Sequence, residues 1–520
     1  MRKNIILLMS VSMLFIIGFV GTFKVPVFAA GQSEAERCTA VYVGKELCEE
    51  GTAIIARSED MPTGVNNKLF LVYPETDHSG GFMEYYGENQ NGFKVKIPKK
   101  TLRYTSLLDA TECGDGPYYS SCMNECGVAV VGTVSADVGE EYAAIDPFKE
   151  EGSGIREAII PGMIACQAVS ARKGVELLAD YIDQYGSEEC NITLFADRDE
   201  SWIMEIYGGS TYAAMKLPDD KMAVFGNQIM IDWVDLDEKE GFIFSDNLKD
   251  CLAKLKSPVK DTKGLYHLAQ SIDPGPRSTY SNMRTWRGHQ LFAPSSIGEY
   301  SDKEFYPLLF TPEKKVSVID IMQLFGDRYE GTEYDMSKPG NEGNRAIGTT
   351  RQSDVHIIQT FADLPKDCCH LQWLCMGNAE HSVFVPAFSG ITDTYEKYKT
   401  DTDGSIAVND SYYFLCRSIA AIAQTDRKFL SKGVKEYNLE QEKQMLSSVM
   451  EIIPTIKTKY SVSKIQGEEF VTEFSASIAE DQYKKAQNLL QHLLYTQMNN
   501  QNDLANDENK IQFSMTDIPD

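Results

Sequence analysis

Short apolar segments alternate with polar connections through the first half of the chain. Segments 38–44 and 52–58 are rich in Val, Ile and Ala and are joined by a short polar connection, which predicts a β-hairpin. Segments 127–136 and 191–209 have the same strand-like pattern, and helix-like spacing covers 155–186 between them. Strands, then helices, then strands again predict a layered α+β fold.

The chain becomes mostly helical beyond residue 410. Segments 411–424 and 480–498 carry apolar residues three and four positions apart, which is typical of helices that pack against a core. We therefore predict a folded domain over 38–400, followed by a helical C-terminal extension over 401–520.

The first 29 residues have the pattern of a secretory signal peptide. Two basic residues precede an apolar run over residues 5–20, and Val27 and Ala29 form a small-x-small cleavage pattern. Because the run is close to the lower limit for spanning a bilayer, an uncleaved membrane anchor is the alternative. We expect removal of residues 1–29, a secreted or cell-surface protein, and no membrane contact after that cleavage.

Composition excludes one class of partner. The 520-residue chain is 42% hydrophobic and carries a net charge of −26. Nucleic-acid binding needs a basic surface, so we expect no nucleic-acid partner. The acidic balance fits a soluble protein and does not identify a substrate.

The twelve cysteines leave their chemistry open. In an exported protein disulfides are the default expectation, although their pairing cannot be deduced from the sequence. The clusters at 122–126 and 368–375 lack the CxxC spacing and the matching second half of a zinc site. We therefore expect no metal and no cofactor, and favour buried thiols that pack as small apolar groups.

Cys38 stands where polar residues 31–37 meet the first predicted strand. It could be a lipid-anchor cysteine, but residues 35–37 are not a lipobox; it could also be half of a disulfide or an inert buried thiol. The fourth interpretation makes it the first residue of a mature enzyme, exposed when residues 30–37 leave as a propeptide. An N-terminal cysteine carries its own base, because an α-amino group titrates near pH 8. Such an enzyme needs no histidine, and none of the seven histidines lies in a motif that suggests a Cys-His pair.

Several blocks of the sequence resemble one family in collinear order over residues 38 to 400. The chain resembles the dipeptidase A family of N-terminal-nucleophile (Ntn) cysteine peptidases, relatives of penicillin V acylases and conjugated bile acid hydrolases. The resemblance implies an αββα sandwich, two antiparallel sheets between helical layers, with the nucleophile at the end of a strand. The blocks are "CTAVYVGKELCEEGTAIIARSED" (38–60), "CMNECGVAV" (122–130), 200–228, 281–294, 327–335 and 373–392.

The resemblance also implies roles for individual residues. Cys38 would be the nucleophile and would release the propeptide by attacking the carbonyl before it. Arg57 and Asp60 match an Arg-x-x-Asp pair in which the arginine lies beside the thiol and the aspartate binds the N-terminal amine. Asn227 matches an asparagine of the oxyanion hole.

A second active-site arginine is implied within "RTWR". Arg284 and Arg287 both fit, and we favour Arg284. Where the acylases carry another oxyanion-hole asparagine, this chain has "GTVS" (132–135), which could contribute only a backbone N–H. This departure fits the dipeptidase branch.

The resemblance implies an exported cysteine dipeptidase that acts on small peptides through a thioester acyl-enzyme. An acylase-type amidase that acts on penicillin V, bile salts or acyl-homoserine lactones is the first alternative. A non-catalytic exported binding protein is the second. The sequence does not decide whether the protein forms a homo-oligomer.

Overall fold

Two antiparallel sheets lie at the centre of the protein. The computed structural model describes residues 38–61, 67–78, 82–84, 94–110, 118–401, 407–501 and 510–518. The predicted signal peptide and propeptide lie outside these residues.

The strands in the described part of the chain are numbered in chain order. They are β1 (Thr39–Val43), β2 (Ala53–Asp60), β3 (Lys68–Tyr73), β4 (Thr76–Asp77), β5 (Phe82–Glu84), β6 (Lys94–Lys96), β7 (Lys100–Thr101), β8 (Tyr104–Asp109), β9 (Tyr119–Asn124), β10 (Ala129–Ser135), β11 (Asn191–Ala196), β12 (Ser201–Ile206), β13 (Tyr212–Leu217), β14 (Met222–Phe225), β15 (Trp233–Val234), β16 (Phe242–Phe244), β17 (Tyr266–His267), β18 (Gln352–Thr360), β19 (His370–Cys375) and β20 (Val385–Phe388).

The α-helices are numbered in the same way. They are α1 (Glu140–Ile145), α2 (Ile160–Ala165), α3 (Ala171–Tyr185), α4 (Leu248–Ala253), α5 (Leu268–Ile272), α6 (Thr279–Phe292), α7 (Val318–Phe325), α8 (Tyr412–Thr425), α9 (Arg427–Val462) and α10 (Lys464–Asn500).

The first large sheet has six strands in the order β14-β1-β2-β18-β19-β20, and the second has eight in the order β16-β13-β12-β11-β10-β9-β8-β3. The predicted hairpin over 38–58 is confirmed as β1 and β2, with Ala40 opposite Arg57. On its other side β1 pairs with β14, where Ala40 lies opposite Phe225. The strand that follows Cys38 is therefore internal to the sheet.

Side chains of β1 point into two different cores. Ala40 and Tyr42 face the second sheet, in a core shared with Val131 and Leu194. Val41 and Val43 face the other way, into a core shared with α8, α9 and α10. Because both faces are buried, the strand is a continuous apolar run.

Helices cover the outer face of each sheet. Helices α2 and α3 pack on the eight-stranded sheet through a third core that includes Ile164, Leu178 and Trp202. Helices α8, α9 and α10 share a core with the six-stranded sheet. The predicted αββα sandwich with a helical C-terminal region is confirmed, and the region beyond residue 401 supplies its fourth layer. No helix within the described residues is long and apolar enough to cross a membrane.

Candidate active site

Cys38 lies immediately before β1, and its side chain is fully buried. The backbone N–H of the next residue, Thr39, donates to Ser58 Oγ on β2 at 3.2 Å. The carbonyl oxygen of Cys38 accepts a hydrogen bond from Arg284 Nη1. The nucleophile candidate is thus fixed from two elements, β2 and α6.

Arg57 lies beside the thiol. Its Nη2 donates to Cys38 Sγ at 3.0 Å and to Tyr118 Oη at 3.3 Å. Burial raises the pKa of the Cys38 thiol to about 12, while the charge of Arg57 acts in the opposite direction. In the chain that still carries residues 1–37, the thiol is therefore protonated at neutral pH.

Asp60 ends β2 and lies close to two cations. Its Oδ2 accepts from Arg345 Nη2. Burial raises the pKa of Asp60, and the charges of Arg345 and Arg284 oppose this increase. Oδ1 is buried and has no hydrogen-bond partner among the described residues. This oxygen can accept a hydrogen bond from a donor such as an amine.

Arg284 connects the thiol residue to the asparagine candidate. Its Nη1 donates to Thr39 Oγ1 at 2.8 Å, and its Nη2 donates to Asn227 Oδ1 at 2.8 Å. Asn227 Nδ2 donates in turn to the carbonyl oxygen of Ser135 at 2.7 Å. An amide nitrogen carries two hydrogens, so this contact leaves one available for an oxyanion.

Arg287, the alternative to Arg284, points elsewhere. It forms a bidentate pair with Asp327, Nε to Oδ1 at 2.8 Å and Nη2 to Oδ2 at 2.6 Å. Nη2 also donates to the carbonyl oxygen of Glu330 at 2.9 Å. Of the two arginines, only Arg284 contacts the predicted site residues.

Two glycines allow the arginines to approach the backbone. A Cβ at Gly132 would lie 2.8 Å from Arg57 Nη1, as well as close to the carbonyl oxygen of Ser120, and one at Gly226 would lie 2.7 Å from Arg284 Cζ. Both distances are shorter than a carbon can tolerate without movement of its neighbours. Glycine at these two positions therefore makes room for the guanidinium groups.

A β-bulge lies next to the site, in "GTVS". Val131 pairs with Leu194 and Val134 pairs with Ile192, so β10 has one extra residue between these pairs. Bulges interrupt the ladder and leave a backbone N–H outside it. The bulge is where the sequence predicts a backbone contribution to the oxyanion hole.

A fully buried ionic network lies behind Arg57. Arg57 Nη1 is 3.7 Å from Glu59 Oε2, and Glu59 Oε1 binds Lys68 Nζ at 2.6 Å. Lys68 also contacts the carboxylates of Asp109 and Asp354. A buried cation surrounded in this way fixes the carboxylates, and Glu59 in turn faces Arg57.

Further polar groups lie on the other side of Arg57. Tyr118 Oη donates to Glu157 Oε1 at 2.7 Å, and Ser135 Oγ donates to Glu157 Oε2 at 2.7 Å. The charge of Glu157 raises the pKa of Cys38, as do those of Asp60 and Glu59. These carboxylates make the surroundings of the thiol acidic.

The structure brings all five predicted residues together: Cys38, Arg57, Asp60, Asn227 and Arg284. Their catalytic roles remain a prediction. The sequence interpretation missed the residues that hold them, which are Glu59, Lys68, Tyr118, Gly132, Glu157, Gly226, Arg345 and Asp354. Of these, Glu59 and the two glycines lie in the family-like blocks or in "GTVS", but the sequence analysis gave them no role.

The cysteines within the described residues are all free thiols, and Cys113 lies outside those residues. No group of three or more His, Cys, Asp and Glu side chains that could hold a metal ion occurs in the part of the chain that the structure describes.

The buried thiol lies beside a guanidinium within an αββα sandwich, an environment suited to a cysteine nucleophile. The chain belongs to peptidase family C69, whose model matches residues 37–440. The protein is thus an enzyme, a cysteine peptidase of the family that the sequence resemblance indicated.

Relatives with curated names cover most of the chain. It is 31% identical over 422 residues to the probable dipeptidase B of Streptococcus pyogenes serotype M6, which is 78% of this chain and 82% of that protein. It is 28% identical over 396 residues to a probable dipeptidase of Latilactobacillus sakei, with 75% and 82% covered. A solved structure of a mutant conjugated bile acid hydrolase from Clostridium perfringens matches with a TM-score of 0.31 and 11% identity, over 68% of this chain and 92% of that chain.

Proposed function

We propose that this protein is an exported cysteine dipeptidase whose nucleophile is a self-exposed N-terminal Cys38. The observation that carries the proposal is the contact of Arg57 Nη2 with Cys38 Sγ at 3.0 Å. The names of the relatives, probable dipeptidase and probable dipeptidase B, support dipeptides as substrates. The apolar run over residues 5–20 supports export.

Maturation would begin with the thiol of Cys38. Sγ attacks the carbonyl carbon of residue 37, the peptide nitrogen of Cys38 takes the thiol proton and leaves as an amine, and a thioester forms. Water then hydrolyses the thioester, which releases the propeptide with a C-terminal carboxylate and regenerates the thiol. The new α-amine can donate to Asp60 Oδ1, the carboxylate oxygen that has no partner within the described residues.

Hydrolysis of a dipeptide would follow the same chemistry. The α-amine accepts the thiol proton, and the thiolate, stabilised by Arg57, attacks the scissile carbonyl. Asn227 Nδ2 and a backbone N–H of the bulge would stabilise the oxyanion. The α-amine returns the proton to the leaving amine, and water then hydrolyses the thioester.

The first test compares the N-terminus and the activity of three proteins. Intact mass and N-terminal sequencing are measured for the wild type, for Cys38→Ala and for Cys126→Ala, a control that alters a partly exposed thiol outside the site. We expect the wild type and Cys126→Ala to begin at Cys38, and Cys38→Ala to keep residues 30–37 and to be inactive. A wild type that keeps these residues and still cleaves dipeptides contradicts the mechanism.

Substrate class needs a separate assay. Dipeptides, the same dipeptides with an acetylated N-terminus, and penicillin V are offered to the mature protein. We expect hydrolysis of the free dipeptides. Faster turnover of the N-acyl amides would instead favour the acylase-type alternative.

A further inference from the structure

Arg277 lies in the loop between α5 and α6, and only part of its guanidinium has a partner. The residue is 6% exposed. Nη1 donates to the carbonyl oxygen of Ile229 at 3.4 Å and lies 3.5 Å from Asp273 Oδ2. Nε and Nη2 are buried and have no hydrogen-bond partner among the described residues. Buried donors of a cation normally have acceptors, so these two nitrogens indicate a site that an acceptor ligand completes.

Nε and Nη2 together form the edge of a guanidinium that binds a carboxylate. Their N–H groups are parallel and match the two oxygens of one carboxyl group. The protein contains an example, because Arg287 uses these same two nitrogens to bind Asp327 Oδ1 and Oδ2 at 2.8 Å and 2.6 Å. Arg277 has the same edge without a partner among the described residues, so a carboxylate is the ligand that fits it.

The surroundings of Arg277 hold the guanidinium in place and keep it charged. Cζ lies 3.4 Å from the centroid of the Phe305 ring, a cation–π contact that fixes the guanidinium plane. Burial lowers the pKa of Arg277 to about 10, while the charges of Asp273 and Glu205 act in the opposite direction. The group is therefore a cation at neutral pH. Asp273 contacts Nη1, which leaves the edge formed by Nε and Nη2 available.

Short contacts connect Arg277 to the oxyanion-hole candidate Asn227. Ile229, whose carbonyl oxygen accepts from Arg277, is two residues after Asn227. Ser281, four residues after Arg277, donates its hydroxyl to the carbonyl oxygen of Asn227 at 3.0 Å. In a dipeptide the carboxylate lies one residue beyond the scissile carbonyl, and one residue spans at most about 3.6 Å. A residue that binds this carboxylate must therefore lie beside the oxyanion hole.

We propose that Nε and Nη2 of Arg277 bind the C-terminal carboxylate of the dipeptide. This inference rests on the proposed function and adds to it the residue that recognises the end of the substrate. A longer peptide would place a neutral amide at the same point and leave the buried cation without its anion. Arg277 would thus favour peptides of two residues over longer ones.

The test compares free dipeptides with their C-terminal amides, which lack the carboxylate. Alanyl-alanine, leucyl-leucine and phenylalanyl-leucine, each with its amide, are offered to the mature wild type, Arg277→Met and Arg198→Met. Release of the N-terminal amino acid gives kcat/KM for every pair, and melting temperatures report on folding. Arg198 is the control, a partly buried arginine that donates to the carbonyl oxygen of Leu364.

We expect the wild type and Arg198→Met to hydrolyse the free dipeptides with a kcat/KM about 10-fold or more above that of the amides, because the amides lose a charge-assisted contact. In Arg277→Met this ratio should fall towards 1. A wild type that hydrolyses none of the free dipeptides overturns the proposed function and this inference with it. Equal turnover of dipeptides and amides by the wild type, or an unchanged ratio in Arg277→Met, overturns this inference alone. If Arg277→Met does not fold, the ratio for the wild type decides.

Discussion

At the scale of single residues, burial and charge act on Cys38 in opposite directions. Burial raises the thiol pKa, and Arg57, the first opposing influence, lowers it. The proposed maturation would add an α-amine to the same residue. The guanidinium of Arg57, whose Nη2 lies 3.0 Å from Sγ, is the cation that would favour the thiolate.

Replacement of Arg57 should raise the pKa of the thiol. In mature Arg57→Met, we expect the midpoint of Cys38 alkylation by iodoacetamide to move up by about 1–3 pH units, because an adjacent cation favours the thiolate. kcat/KM should fall by about 100-fold or more. The measurement is the mass-spectrometric alkylation rate of the Cys38 peptide against pH, with Arg172→Met as an exposed control. An unchanged midpoint would contradict the role of Arg57.

Gly132 and Gly226 should not tolerate substitution even by alanine. A Cβ at Gly226 would meet Arg284, and one at Gly132 would meet Arg57 and, more closely, the carbonyl oxygen of Ser120 on β9. Gly226→Ala and Gly132→Ala should therefore lower activity by displacing these groups. Gly298→Ala is the control, since a Cβ there meets nothing within 4 Å. Peptidase assays and melting temperatures are compared. Wild-type activity in both site variants would show that the arginines can move without consequence.

The family resemblance predicted part of this site. Arg57 and Asp60 could be found because they match the Arg-x-x-Asp pair of the related enzymes, whereas the segment by itself would be taken for an exposed turn. Lys68 and Asp354 could not, because an isolated Lys or Asp in a sequence is normally exposed. Only the packing of the two sheets shows that they bind Glu59 behind Arg57.

At the scale of elements, the two arginines of α6 contact different parts of the molecule. Arg284 faces β1 and Asn227, whereas Arg287 holds the loop after α7 through Asp327. Burial raises the pKa of Asp327, and Arg287 opposes this increase. Because the two arginines have different partners, they should respond differently to the same substitution.

Substitution of each arginine by methionine should separate the two roles. Arg287→Met leaves a buried carboxylate without its partner, which should cost about 3–5 kcal/mol of unfolding free energy. Arg284→Met should reduce kcat/KM by about 100-fold or more, a loss that its effect on stability does not explain. Urea unfolding and dipeptide hydrolysis are measured on both. Equal losses of activity per unit of stability would contradict this division.

The same elements show which strands a sequence pattern can reveal. The hairpin β1–β2 and the strands of segment 191–209, β11 and β12, were predicted because their apolar runs are continuous. Strands β3, β8 and β9 were not, since each places polar residues such as Lys68, Asp109 and Ser120 in the interior. Because the buried polar residues interrupt the apolar pattern of these strands, the sequence pattern does not predict them.

At the scale of the whole molecule, two buried carboxyl groups should make stability depend on pH. Burial raises the pKa of Glu205 to about 7 and that of Glu442 to about 8. In the unfolded chain a glutamate titrates near 4.3. Between these values the folded state keeps protons that the unfolded state releases. The stability that these two groups contribute is therefore fully present below about pH 4 and is lost as pH rises through their folded pKa values.

The melting temperature should therefore fall between pH 5 and pH 8. Each pH unit removes at most about 1.4 kcal/mol for each group. The doubly substituted protein, Glu205→Gln with Glu442→Gln, should show a flatter profile, with its advantage over the wild type increasing towards pH 8. Parallel profiles for the two proteins would show that these carboxyl groups do not set the dependence.

The order of strands in the six-stranded sheet determines how much of the chain must be synthesised before the candidate active site can form. Strand β1 pairs with β14, β2 pairs with β18, and Asp60 binds Arg345. The ribosome synthesises all three of these partners much later than Cys38. The thiol is among the first parts of the folded region to leave the ribosome, but its partners are among the last to be assembled. The proposed self-cleavage at Cys38 would therefore be confined to chains whose synthesis has passed β18, and we expect a prematurely terminated chain to keep residues 30–37.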